Sequence, residues 1–136
     1  MPVVNTTAGI AFQNAILAGV FGPNRAAGAP DSFRVRLWQD RPDGDSPAEA
    51  DWTGYDPPLW SSDDWEAPEG GEVDSDGLVG FGVPGGGGTD AARFWALHDV
   101  DTDEVVYYGP LSQPIAGAES TNPIEIRLTV PYGARN

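Results

Sequence analysis

The chain has no cysteine, no lysine and a single histidine among its 136 residues. The first absence excludes disulfides, thiolate metal sites and a cysteine nucleophile. The second removes the cation that a phosphate-cradling loop needs, so the glycine run "PGGGGTD" at 84–90 reads as a flexible loop ahead of a strand. The third leaves His98 without the further histidines of a metal hydrolase. Its neighbour Asp99 would point to the opposite face of a strand and could not easily orient it in a Ser-His-Asp triad. No apolar run approaches the ~18 residues of a membrane span. The N-terminus has no basic stretch leading into an apolar run and a cleavage site, so no secretory leader is expected. No metal or cofactor is expected either.

What the chain does have is acid: 21 acidic residues against 7 arginines, for a net charge of −14. Such a charge repels nucleic acid and anionic lipid, and neither is expected as a partner. Adaptation to high salt and a GC-rich genome both produce acidic, lysine-free sequences; the second is the reading preferred here. The charge is concentrated. Between Asp40 and Asp76 there are 13 acids and one arginine, a net of −12, while the rest of the chain nets −2.

One domain is expected over residues 1–136. The pattern predicts one helix over 5–22, with Phe12, Ile16, Leu17 and Val20 forming an apolar stripe and Gly22-Pro23 ending it. Strands are expected at 33–38, 78–83, 92–98, 104–109 and 124–130, where apolar and polar residues alternate or β-branched and aromatic residues cluster. In 33–38, Phe33, Val35 and Leu37 face inward; in 124–130, Ile124, Ile126, Leu128 and Val130 do. The fold class implied is mainly β, an antiparallel sandwich or small barrel with one N-terminal helix. The stretch 39–77 is expected to be a long acidic insertion, rich in proline and tryptophan, ordered but with little regular structure.

"DVDTDEVVYYGP" suggests a calcium loop, but counted from Asp99 the sixth position is Glu104 and the twelfth is Pro110, where such loops need glycine and glutamate. A hairpin turn between two strands is the better reading. Paired carboxylates are inevitable among so many acids; Asp63, Asp64 and Glu66 near Trp60 and Trp65 are the only set that merits a hydrolase reading, ranked last. Trp52, Tyr55, Trp60 and Trp65 in the acidic stretch are the candidate contact residues. They suit a protein interface, stack against a sugar in a carbohydrate-binding module, or simply pin the loop to its own sheet.

Four segments together resemble a family of small structural proteins of long-tailed bacteriophages, labelled tail fibre or minor tail proteins and related to capsid decoration proteins. They are "AILAGVFG" (15–22), "FRVRLW" (33–38), "RFWALHDVDTDEVVYYGPLSQPI" (93–115) and "IEIRLTV" (124–130). The family's turn corresponding to 99–104 carries a glycine, where this chain has Asp103-Glu104. The resemblance implies a non-enzymatic virion component on the capsid or tail surface, located in the particle. Expected partners are capsid or tail proteins and further copies of the chain, with a host-surface glycan as the alternative contact. Strands 33–38 and 124–130 are expected to offer edges to neighbours, and the helix could dock on a partner as readily as on its own sheet.

Overall fold

Alternation from Phe33 onward makes the first strand, β1 (Ser32–Trp38), whose inward side chains Phe33, Val35 and Leu37 are fully buried. The computed structural model describes residues 9–87, 91–117 and 122–133. Within them α1 (Ile10–Ala18) precedes β1. β2 (Leu59–Ser61), β3 (Glu72–Asp74), β4 (Val79–Gly80), β5 (Ala92–Asp99), β6 (Val105–Ile115), β7 (Glu125–Ile126) and β8 (Thr129–Pro131) follow it. The protein is mainly β, with antiparallel sheets and one N-terminal helix. No helix among the described residues is long and apolar enough to cross a membrane.

The principal sheet has the order β2-β1-β5-β6, and two two-stranded sheets, β3-β8 and β4-β7, complete the set. β1 runs antiparallel to β5 from Phe33 opposite Asp99 to Trp38 opposite Phe94. β1 is therefore paired on both sides and offers no free edge, contrary to expectation; the outermost strands are β2 and the long β6. The expected strand 124–130 is divided. β7 pairs with β4 through Val79 and Ile126, while β8 pairs with β3 through Val73 and Val130. Its alternation survives the division, with Leu128 and Val130 buried and Glu125, Arg127 and Thr129 exposed. Strand 78–83 shrinks to β4, and 104–109 lengthens to β6. The stretch 39–77 contains β2, β3 and three isolated bridges.

The β5–β6 connection is a hairpin turn. Asp103 N–H bonds the Asp99 carbonyl at 2.8 Å, and Asp99 N–H bonds the Glu104 carbonyl at 2.8 Å. Asp103 has φ 59°, the left-handed region that glycine favours and that aspartate tolerates better than most residues. This is the stretch where the phage family's pattern has glycine.

All these elements share one core. Phe33, Val35 and Leu37 meet Trp95 and Leu97 of β5, Tyr107 of β6, and Val73, Val79 and Val130 from the small sheets. Phe21 sits at its centre, 4.6 Å between ring centroids from Trp65, 5.5 Å from Phe33 and 5.6 Å from Tyr107.

The helix departs most from expectation. Residues 5–8 lie outside the described ones, and after Ala18 the chain turns. Of the expected stripe, Leu17 is buried and Val20 packs against the core, but Phe12 and Ile16 do not. Gln13 and Leu17 point inward, Phe21 continues their line, and Phe12 and Ile16 are exposed. The reason is local. Gly71, at φ 80°, brings its main chain against α1, where the Asn14 side chain accepts its N–H at 2.9 Å and Gln13 packs on it. Polar groups that satisfy a buried backbone outweigh a marginal gain from turning one apolar residue in for another.

Leu17→Ala should therefore cost ~2–5 kcal/mol in urea denaturation, while Phe12→Ala in dilute solution should stay within ~0.5 kcal/mol. The reverse ranking would place the helix the other way round.

Candidate functional site

The outward face of β1 presents Arg34 and Arg36, and these two cations receive the acidic segment. Arg34 donates to the Pro57 carbonyl at 2.9 Å. Arg36 lies between two carboxylates from distant parts of the chain, Glu49 at 3.1 Å and Asp103 at 3.4 Å. Glu49 also accepts the Tyr55 hydroxyl at 2.7 Å, and that hydroxyl accepts the Leu37 N–H at 2.8 Å. Further out, Arg41 and the Tyr108 hydroxyl both donate to Asp43, at 3.0 and 2.7 Å. The Tyr108 hydroxyl, and with it Arg41, holds the Asp43 carboxyl below its ordinary value.

His98 lies on this same face but is buried. Trp38 stacks on it with centroids 5.8 Å apart, and Nδ1 is 3.0 Å from the Asp103 carbonyl. That contact requires the proton on Nδ1 in the neutral ring. Nε2 is buried and, among the described residues, has no hydrogen-bond partner. Asp99 contributes nothing to it; its carboxylate accepts the Asp101 N–H at 2.8 Å. Among the described residues no three histidine or acidic side chains gather as metal ligands.

The four aromatic candidates do not form one surface. Trp52 and Trp65 belong to the core, at 3% and 6% exposure, which takes their ring faces out of reach of a partner. The Trp52 ring fills the space beside Gly117 that any Cβ would need. Tyr55 is half-buried, edge-on to Trp52 at 5.3 Å and parallel to Phe81 at 6.5 Å. Trp60 is half-buried beside the core and donates its Nε1–H to the Asp64 carbonyl at 2.9 Å. The acids Asp63, Asp64 and Glu66 are exposed; Asp63 pairs with Arg25 at 2.6 Å and Glu66 with Arg127 at 2.8 Å.

A cleft lies elsewhere, along β6. It encloses about 520 Å³ between Arg41, Phe94, Trp95 and Tyr108 on one side and Glu72 and Thr129 on the other. A smaller groove shares Trp95, Pro110 and Thr129 with it and continues along Leu111 to Gln113. An aromatic wall with one cation and one carboxylate can bind a ligand. Sequence reasoning missed this cleft because its lining comes from five separate segments.

No known protein family, curated protein or solved structure matches the chain.

Burial, and after it the Glu49 carboxylate, raises the Tyr55 phenol well above its ordinary value of 10.0. The unfolded chain thus loses this proton first, so the contribution to stability is whole below about pH 10 and falls away as pH rises further. Tyr55→Phe should cost ~1–3 kcal/mol at neutral pH, because the Leu37 N–H loses its acceptor, and should make the alkaline loss of stability shallower. Denaturation midpoints unchanged at both pH values would contradict the role given to this hydroxyl.

Proposed function

We propose that the chain is a non-enzymatic structural protein of a tailed-bacteriophage particle, on the capsid or tail surface, of the minor tail, tail-fibre or capsid-decoration kind. The observation that carries this reading is the hairpin 93–115. It holds the most specific part of the family pattern, and it forms the middle and outermost strands of the principal sheet. Among the described residues no strand pairs with the outer edge of β6. An eleven-residue edge of this sort suits strand addition by a neighbour, with Pro110 and Pro114 limiting where it occurs.

The fold reads as a sandwich, with β2-β1-β5-β6 as one layer, β3-β8 and β4-β7 as the other, and the shared core between them. Its arginines support a structural role. Arg25, Arg36 and Arg127 pair with Asp63, Glu49 and Glu66 and fasten the acidic segment to the body, while the segment's own Arg41 and Asp43 reach the Tyr108 hydroxyl of β6. Most of the other acids among the described residues are exposed to water, where like charges keep crowded copies apart and soluble. A carbohydrate-binding role would have to rest on Tyr55 and Trp60 alone of the four aromatic candidates, since the other two are buried.

In particles purified on a density gradient, mass spectrometry should find the peptide 94–127, which trypsin releases between Arg93 and Arg127, in several copies per particle. Recovery only from the soluble fraction of the lysate would reject the assignment.

A further inference from the structure

The polarity of α1 is inverted. Its polar residues, Gln13 and Asn14, are turned toward the protein, while Ala11, Phe12, Ala15 and Ile16 face solvent. Phe12 is 57% exposed and Ile16 41%, neighbours on this outward face. A cluster of that kind on a soluble protein marks a contact surface.

We propose that this face is the contact between two copies of the chain, their α1 helices packed antiparallel about a two-fold axis. Two observations select a second copy. The first is charge. Residues 1–30 contain no acid, whereas residues 31–136 carry all 21 against six arginines. Copies approaching through other faces bring carboxylates against carboxylates; helix against helix brings none from α1. The second is shape. Ala11 and Ala15, four residues apart, leave a shallow channel that allows close approach, and Phe12 and Ile16 stand beside it as knobs. A two-fold contact requires one face to hold both knob and hole, and this face does.

The size of the face sets the strength. A nine-residue helix is about 14 Å long, and one of its faces supplies less than the ~800 Å² per partner of a standard stable interface. The pair is therefore weak and concentration-dependent in solution, and it tightens where copies are held side by side. None of this depends on the virion reading. A chain that pairs through α1 but is absent from purified particles keeps this inference and discards that one.

The test is sedimentation equilibrium of the full chain from low micromolar to near-millimolar concentration. The mass should rise from one chain toward two and stop there. Phe12→Asp and Ala15→Arg should each weaken association at least about tenfold, with near-ultraviolet circular dichroism unchanged. A wild-type chain that stays single throughout, growth beyond two chains, or a dimer that survives both substitutions would each overturn the proposal. Loss of folding in both variants would also overturn it, since it would mean that these side chains face inward.

Discussion

One phenol closes the edge of the central sheet. Along the side of β1 away from β5, β2 takes Ser32 to Arg34, and the Pro58 carbonyl accepts the Val35 N–H at 2.9 Å. At the far end of the strand, the Ala48 carbonyl accepts the Gln39 N–H at 2.7 Å and the Leu37 carbonyl accepts the Ala50 N–H at 2.8 Å. Between these stretches the Leu37 N–H would face the protein interior with no acceptor, and the Tyr55 hydroxyl supplies one. A buried amide without a partner is among the costlier defects a fold can carry. The same hydroxyl donates to Glu49, Glu49 holds Arg36, and Arg36 reaches Asp103 in the β5–β6 turn. One continuous set of contacts thus runs from the sheet edge, through the acidic segment, to the hairpin.

The acidic segment carries a net charge of −12, yet it lies along the sheet. Magnitudes show what holds it there. Its ion pairs are exposed or half-exposed, and such pairs contribute ~0–1 kcal/mol each. Burying an aromatic side chain contributes more, roughly 1.5–3 kcal/mol, and Trp52 and Trp65 are both in the core. The tryptophans therefore anchor the segment, and Arg25, Arg36, Arg41 and Arg127 set where its acids lie. The cost is visible in the buried indole N–H groups of both residues, which have no hydrogen-bond partner among the described atoms.

Period-two alternation made β1 legible in the sequence, because one face of the strand is buried and the other carries arginine. The same signal gave the correct inward face of 124–130 but not its division. Alternation reports which way a side chain points and says nothing about which strand lies alongside. The helix was legible as an element and misleading as to its face. With only Gln13 and Asn14 polar, its apolar residues run almost all the way round, and the decision fell to Gly71, 57 positions downstream of Asn14. The aromatic residues of the acidic segment could be recognised as important. That Trp52 and Trp65 pin the fold, while Tyr55 completes a sheet edge, depends on tertiary neighbours that leave no local mark. The cleft along β6 was invisible for the same reason.

Amide hydrogen exchange at Leu37 tests the central claim most directly. If the Tyr55 hydroxyl holds this N–H inside the closed edge of β1, Leu37 exchanges as slowly as Val35, whose N–H is held by a main-chain carbonyl. Exchange at Leu37 as fast as at exposed turn residues such as Thr102, with Val35 still protected, would show that the edge is open and that Tyr55 does not fasten the acidic segment to the sheet.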